Sequence, residues 1–200
     1  MPIEIDVDER LRDIGAVTLE LADELGVEAI SYRAIAKAMG GSTKLVTKYL
    51  PTRAELLLNA VRIAMENWRS ESDQVLAEAA SDERLRALAH WSCTTGAGDL
   101  AIRKLMVEVM STHAVPHEVE RVLSGIAHTH REALLEAATI DRYEDPEAVV
   151  DAIFLATYGY FISTLRDLGA WPADRAAAAI DVVLDNAPRR RRSPRRRGAR

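Results

Sequence analysis

A hydroxyl and an ammonium side chain stand next to each other twice, at residues 43–44 and 47–48, in a pattern that could bind nucleic acid. The surrounding segment, residues 31–53, holds five basic residues and no acidic one, whereas an ordinary solvated helix face carries both signs. Lys44 and Lys48 can donate hydrogen bonds to O6 and N7 of guanine, and Thr43 and Thr47 offer a hydroxyl to a base edge or a methyl group to thymine. These four side chains are therefore candidates for reading DNA in the major groove.

Basic residues on either side of these four could hold the DNA backbone. Arg33, Lys37 and Arg53 are suited to phosphate oxygens, which orient a protein on DNA without reading its sequence. Ser42 is expected to cap a helix, and the unpaired amides at a helix start also suit a phosphate. The candidate DNA-contacting residues are Ser31, Arg33, Lys37, Ser42, Thr43, Lys44, Thr47, Lys48, Tyr49 and Arg53.

Two short helices joined by a tight turn are needed to present these side chains. One helix follows Ser31, the next follows Ser42, and Gly40 between them tolerates the positive φ of a sharp turn. Their apolar positions are expected to face a core. A helix over 8–25 precedes the pair. Residues 52–55, with Thr52 and Glu55 at their ends, form a capping box that opens a long fourth helix.

Other chemistries have weaker support in this sequence. His113 and His117 could share a helix face with Glu120, but Pro116 interrupts the spacing and no cysteine joins them. Glu108 near His113 could suggest catalysis, yet neither a nucleophile nor an orienting third group accompanies them. The lone Cys93 has apolar neighbours typical of a core position. We therefore expect no metal, no cofactor and no catalytic residue.

The ordered run of residues around the two short helices resembles the DNA-binding domain of the tetracycline-repressor (TetR) family of bacterial regulators. The resemblance covers about residues 10–57, a quarter of the chain. It is carried by Ile14, Leu21, Gly26, Ser31, Arg33, Ile35, Ala36, Gly40, Ser42, Val46, Tyr49, Pro51, Arg53 and Leu56. The resemblance implies a homodimeric transcriptional regulator that binds double-stranded DNA and a small-molecule effector, with ligand relieving repression.

Four positions depart from the usual family pattern. Gly41 stands where Val is general, Lys44 where Gly is frequent, Thr47 where an aromatic residue is common, and Leu50 where Phe is common. Lys44 and Thr47 lie on the expected reading face. The DNA sequence that this chain recognises therefore cannot be carried over from the family.

The rest of the chain is also predicted to be helical, because strand patterns are nearly absent and Ala, Leu, Glu and Arg dominate. Further helices are predicted at about 82–95, 99–114, 116–140, 146–168 and 173–187. The expected fold is all-α, with a three-helix DNA-binding domain at 1–52, a larger helical ligand-binding and dimerisation domain at 53–187, and an Arg-rich tail at 188–200.

The last two helices are expected to form the dimer contact, because small residues let helices approach closely. In the family a similar pair meets its symmetry mate as a four-helix bundle. The residues predicted on the contact faces are Ala152, Leu155, Ala156, Gly159 and Ile162, and then Ala176, Ala177, Ile180, Val183 and Leu184. A two-fold dimer predicts a palindromic operator with half-sites about 34–36 Å apart.

Aromatic and methionine side chains along the middle helices are either core residues or the lining of an apolar cavity. The resemblance implies a ligand pocket among these helices. The candidate ligand-binding residues are Trp91, Met106, Met110, His113, Phe154 and Tyr158.

Charge is strongly segregated along the chain. The net charge is −5 although the tail after Pro188 holds eight arginines and no acid, so an acidic body carries two basic patches, as expected of a protein that binds a polyanion through one end. The tail is predicted to be disordered. Its role stays open between a solubilising end, nonspecific DNA contact, and RNA or membrane contact. A sequence-nonspecific DNA-binding protein and, further off, a small helical enzyme remain the alternative functions.

The sequence favours a cytoplasmic protein without a membrane span. The first ten residues are acidic and lack the cationic and apolar regions of a secretory signal. The apolar stretch 148–165 is interrupted by Asp151 and Gly159, and we expect it to be a buried helix.

Overall fold

The computed structural model describes residues 6–94, 97–111, 117–167 and 169–190. In these ranges the regular structure is helical, as predicted. A short 3-10 turn, Val27–Ala29, precedes the second α-helix. The α-helices are α1 (Val7–Leu25), α2 (Tyr32–Ala38), α3 (Thr43–Tyr49), α4 (Arg53–Glu78), α5 (Arg84–Trp91), α6 (Ala97–Ser111), α7 (His117–Ile140), α8 (Pro146–Arg166) and α9 (Ala173–Asn186).

Several helix starts follow the capping signals in the sequence. The Ser31 hydroxyl accepts a hydrogen bond from the Ala34 amide at 3.2 Å, and the capping box between Thr52 and Glu55 is complete. Ser42 holds the capping position of α3 as predicted, but its side chain makes no cap hydrogen bond. The start of α3 therefore keeps its amides unpaired by a side chain.

The turn between α2 and α3 is a Schellman motif built on Gly40. Gly40 has a φ of +64°, and the amides of Gly40 and Gly41 donate to the carbonyls of Lys37 at 3.1 Å and Ala36 at 2.8 Å. This bond pair closes the end of a helix when the next residue is left-handed. The predicted role of Gly40 is confirmed, and Gly41 needs no such conformation.

One hydrophobic core joins the first three helices to the rest of the protein. It contains Ile14, Ile35 and Val46 from the first three helices, the amino-terminal half of α4, and Leu105 and Val109 from α6. The core therefore crosses the predicted domain boundary at residue 53. Helices α4 and α6 both pack against α1, which in turn contacts α2 and α3.

Helices α1 and α4 approach each other closely at Gly15. A Cβ atom on Gly15 would lie 2.6 Å from Cγ1 of Ile63, a distance that real side chains avoid. Nearby, the Asn59 amide donates to the carbonyl of Leu11 at 2.7 Å. Glycine at position 15 thus fixes the spacing between the long fourth helix and the first helix.

A second core is formed by α5, α7, α8 and α9. A buried carboxylate, Asp141, follows α7 and accepts hydrogen bonds from the amides of Arg84 at 3.2 Å and Leu85 at 2.8 Å. It therefore caps α5 from a distant part of the chain. Burial raises the pKa of Asp141, and the bonds from the two amides oppose this rise.

The first residues of the Arg-rich tail are anchored, which differs from the predicted disorder from Pro188 onward. The Glu144 amide donates to the Pro188 carbonyl at 2.9 Å, and the Arg190 amide to the Arg142 carbonyl at 2.8 Å. The Arg189 guanidinium lies 4.6 Å from the ring centroid of Tyr143. The buried ring of Tyr143 and these backbone hydrogen bonds hold residues 188–190 in place despite their polar composition. Residues 191–200 lie outside the described residues.

Helix α8 is less buried than the sequence predicted. In the described ranges it is the one helix whose length and composition would suffice to cross a membrane, and a third of its most apolar window is buried. The core of a soluble protein can produce the same signal. Here much of the apolar surface faces outward, because α8 packs on the second core along one side.

Candidate DNA-binding surface and sensor site

The candidate reading residues lie on the outer side of α3. Thr43, Lys44 and Lys48 are exposed, whereas Val46 on the opposite side is fully buried. Thr47 is half-buried, and its hydroxyl donates to the carbonyl of Thr43 at 3.0 Å. Because its hydroxyl proton is used in this way, Thr47 can contact a base with its methyl group or accept a hydrogen bond with its hydroxyl oxygen.

Exposed cations surround this face of α3. Arg33 and Lys37 on α2 are exposed, and together with Lys44 and Lys48 they make no ion pair with any residue that the structure describes. Lys48 Nζ lies 5.2 Å from the ring centroid of the half-buried Tyr49. A group of uncompensated cations on an acidic protein attracts a polyanion.

Arg53 is engaged inside the protein, unlike the other cations. Its guanidinium donates to the carbonyls of Ile30 and Val27, and its Nε donates to Oε1 of Glu108 at 3.0 Å. It thereby ties the start of α4 to the 3-10 turn and to α6. The structure thus gives the predicted phosphate contact of Arg53 no support, because the fork of donors is already used.

The six predicted ligand-binding residues do not meet in one described cavity. Met106 packs against the first core, while Trp91 and Phe154 pack against the second. Met110 and Tyr158 are partly exposed, and His113 lies outside the described residues. Phe154 and Tyr158 do stack, with ring centroids 5.9 Å apart.

A buried arginine that the sequence analysis missed bridges the two cores. Arg103 on α6 is only 4% exposed, and its Nη1 donates to the hydroxyl of Thr164 on α8 at 2.6 Å. Its guanidinium carbon lies 5.1 Å from the ring centroid of Tyr160 and 5.3 Å from that of Phe161. In the sequence Arg103 carries no signal of its burial, because an Asp four residues before an Arg is also the ordinary spacing of an exposed helical ion pair.

The crevice between α4 and α7 has a volume of about 250 Å³, with Asp73, Leu76, Glu136 and Ile140 in its wall. It is smaller than usual ligand pockets of about 300–1,000 Å³. None of the predicted ligand-binding residues lines it.

The metal candidates His113, His117 and Glu120 have side chains that lie outside the described part of the chain. Among the side chains that the structure does describe, no group of three or more His, Cys, Asp or Glu is placed to hold a metal ion. Cys93 is buried, and burial raises the pKa of its thiol to about 11. The thiol therefore stays protonated near neutral pH and is a poor nucleophile.

An apolar surface runs along the outer sides of α8 and α9. Leu155 is 70% exposed, Val182 is 65% exposed and Ile162 is 42% exposed. On α8 this surface includes the predicted contact residues. On α9 the prediction was wrong for Ala176, Ile180 and Leu184, which are buried in the second core. The predicted Ala177 and Val183 are half-buried, and the exposed apolar residues of the helix include Ala178, Ala179 and Val182.

Several solved structures share this fold. A TetR transcription regulator from Haloarcula marismortui matches with a TM-score of 0.76 at 16% identity, over 90% of this chain and 98% of that chain. A protein from Saccharomonospora viridis in complex with choline matches with a TM-score of 0.74 at 15% identity, over 91% and 100%. NalD of Pseudomonas aeruginosa, the secondary repressor of the MexAB-OprM multidrug efflux pump, matches with a TM-score of 0.61 at 18% identity, over 91% and 97%.

These similarities establish the fold of the chain. The all-α arrangement of a helix-turn-helix domain followed by a helical domain, which the sequence resemblance implied, is confirmed across about nine-tenths of its length. No family model and no curated protein matches the chain in sequence.

Proposed function

We propose that this protein is a cytoplasmic, dimeric transcriptional regulator that binds double-stranded DNA and loses affinity for it when a small molecule binds. The observation that carries the proposal is the exposed, unpaired cationic face of α2 and α3. It projects Lys44 and Lys48 beside Arg33 and Lys37, on a chain whose net charge is −5. The neighbours with the same fold include a TetR regulator and an efflux-pump repressor.

The proposed DNA contacts are of two kinds, contacts to base edges and contacts to phosphates. Lys44, Thr47 and Lys48 read base edges, with Thr43 at the entrance of the groove. Arg33, Lys37 and the amides at the start of α3, next to Ser42, hold phosphates. Arg53, Ser31 and Tyr49 act indirectly, because each is used to shape or pack the helix-turn-helix.

The dimer is proposed to form through the exposed apolar surface of α8 and α9. Leu155, Ile162 and Val182 would otherwise leave a large apolar patch in water, which is unusual in a monomer. An isologous contact places two α3 helices on one side of the dimer, and they enter successive major grooves of a palindromic operator.

The sensor is proposed to be the helical region of α5 to α9, and α6 is its link to DNA. On α6, Arg103 contacts α8 and Glu108 contacts Arg53. Arg53 in turn holds the carbonyls that precede α2. A ligand that shifts α6 relative to α8 would therefore change the orientation of α2 and α3. Coupling of this kind typically amounts to about 1–3 kcal/mol.

We propose no catalytic activity, so the proposal excludes the alternative that the protein is a small helical enzyme. The neighbour solved in complex with choline is a protein of this fold that binds a small molecule. If purified protein turned over a compound that binds it, the regulator proposal would be incomplete.

Selecting bound fragments from the source genome tests the DNA-binding proposal. The expected result is a small set of sites that share one inverted repeat. The matched control is Lys104→Ala, which removes an exposed lysine of α6 outside the helix-turn-helix and should select the same sites. Recovery of fragments without a common sequence would contradict the proposal and would favour a nonspecific DNA-binding protein.

A further inference from the structure

The side chain of Arg103 is a buried cation that makes no direct ion pair with a carboxylate of the described residues, although Asp99, one helical turn away, favours its charged form. Its hydrogen-bond partners are the hydroxyl of Thr164 at 2.6 Å and the carbonyl of Thr94 at 3.4 Å. No carboxylate of the described residues makes an ion pair with it. A buried charge is ordinarily paired or coordinated, because its removal from water is costly.

The Nε atom of Arg103 is the unused part of this guanidinium. It is buried and has no hydrogen-bond acceptor. The Nε edge of a guanidinium presents two parallel N–H groups, which fit the two oxygen atoms of a carboxylate. The Nε atoms of Arg10 and Arg84 also lack an acceptor, but of these three residues Arg103 alone is buried as a whole. Buried polar groups are nearly always satisfied, so this donor points to a binding partner.

The surroundings of Arg103 define what kind of anion fits. The rings of Tyr160 and Phe161 face the guanidinium, and Phe161 stacks on Tyr158, with centroids 5.9 Å apart. Tyr158 is 43% exposed, so stacked rings connect the buried cation with the surface. An apolar, planar body would pack among these rings.

The charges near Arg103 limit the ligand to one negative charge. Burial lowers the pKa of Arg103, and Tyr160, Asp99 and Cys93 oppose that shift. Arginine remains protonated in proteins, so it supplies one positive charge. Asp99 would repel a second negative charge on a ligand.

We propose that Arg103 is the anion-binding residue of the sensor and that the effector is a monocarboxylate with an apolar or aromatic body. This inference rests on the proposed regulator function. It adds the chemical class of the effector, and it differs from the cation held by the neighbour solved with choline. Because Arg103 joins α6 to α8, a carboxylate that takes its Nε edge acts at the contact between the two cores.

A matched panel of small molecules tests this proposal on the full-length protein. The probes are benzoate, 3-phenylpropionate and octanoate, each compared with its primary amide and with a trimethylammonium compound of similar size. Binding is followed by calorimetry and by tryptophan fluorescence, since Trp68 donates to Asp99 at 3.1 Å, one turn from Arg103. We expect at least one carboxylate to bind about tenfold or more tightly than its amide.

Two substitutions separate anion recognition from a structural role. Arg103→Met should abolish the preference for carboxylate over amide, and Arg103→Lys should keep part of it because the charge remains. The control is Arg175→Met, which removes an exposed arginine that lies 4.4 Å from the ring centroid of Trp171 and should leave the preference unchanged. If Arg103→Met fails to fold, the panel on the unmodified protein decides alone.

Several results would overturn the proposal. The first is that an amide or ammonium compound binds as tightly as its carboxylate. The second is that none of the carboxylates binds at millimolar concentration. The third is that the Arg103→Met variant keeps the preference for carboxylate over amide. DNA binding without any ligand is measured in the same samples. Its loss would count against the proposed regulator function, whereas its presence without a carboxylate response would count against the role of Arg103 alone.

Discussion

At the scale of single residues, the environment of a side chain determines its role more than its type does. Arg33, Arg53 and Arg103 are all arginines within or near the first core, yet one is exposed, one is bonded to backbone carbonyls and one is buried beside aromatic rings. The sequence alone assigned the first two to phosphate and passed over the third. Burial and hydrogen-bond geometry, which depend on tertiary packing, separate them.

His130 gives a prediction about stability at this scale. Burial lowers its pKa below the ordinary value of 6.5, so the unfolded chain takes up a proton at a higher pH than the folded protein does. The free energy of unfolding therefore falls as the pH drops below about 6.5, until the lowered folded pKa is reached. In His130→Gln, the urea midpoint should change less between about pH 7 and pH 5 than in the unmodified protein.

His128→Gln is the control, because His128 is an exposed histidine on the same helix. An unchanged pH profile in His130→Gln would show that His130 does not titrate differently in the two states.

At the scale of elements, the local signals predicted where helices begin and end, but not how they are joined. Thr52 with Glu55 produced the predicted cap, and Gly40 produced the predicted turn. Asp141, which caps α5 from the end of α7, left no local signal, since its partners are more than fifty residues away. The wrong side of α9 was chosen for a similar reason: an alanine-rich helix has two apolar sides, and packing selects one.

At this scale, substitutions of Arg53 and Arg33 should have opposite effects on stability and on DNA binding. Arg53→Ala should lower the free energy of unfolding by about 1 kcal/mol, because it removes contacts from α4 to the 3-10 turn and α6. It should leave the salt dependence of DNA binding unchanged. Arg33→Ala should leave stability unchanged and reduce the slope of log K against log salt by about 0.9 for each phosphate contact that is lost.

Both variants are compared by chemical denaturation and by DNA titration at several salt concentrations. If Arg53→Ala reduced the salt slope as Arg33→Ala does, Arg53 would contact phosphate after all, and the proposed division of roles would be wrong.

At the scale of the whole molecule, the proposed DNA-binding end and the proposed sensor end share the first core through α4 and α6. The sequence resemblance implied both ends and their order. It could not indicate that α6 contacts Arg53 through Glu108 and contacts α8 through Arg103, because the residues of each pair are far apart in the chain. The dimer surface was partly predictable, since the apolar residues of α8 repeat at helical spacing.

Leu155→Glu tests the dimer at this scale. A charge at the centre of the exposed surface of α8 should convert the protein to a monomer in light scattering, because two carboxylates would be buried across the two-fold axis. Affinity for a full palindrome should fall strongly, while affinity for an isolated half-site should change little. Val7→Glu, which alters an exposed valine of α1, should remain dimeric; a dimeric Leu155→Glu would assign the contact to another surface.

The central claim is that the outer face of α3 reads DNA, and the affinity of a double variant tests it most directly. Lys44→Ala combined with Thr47→Ala is titrated against the best genomic site by fluorescence anisotropy, with Lys104→Ala as the control. Loss of two base contacts should weaken binding by about 2–4 kcal/mol, at about 1–2 kcal/mol for each contact. Binding as tight as that of the unmodified protein, with the fold intact, would contradict the account.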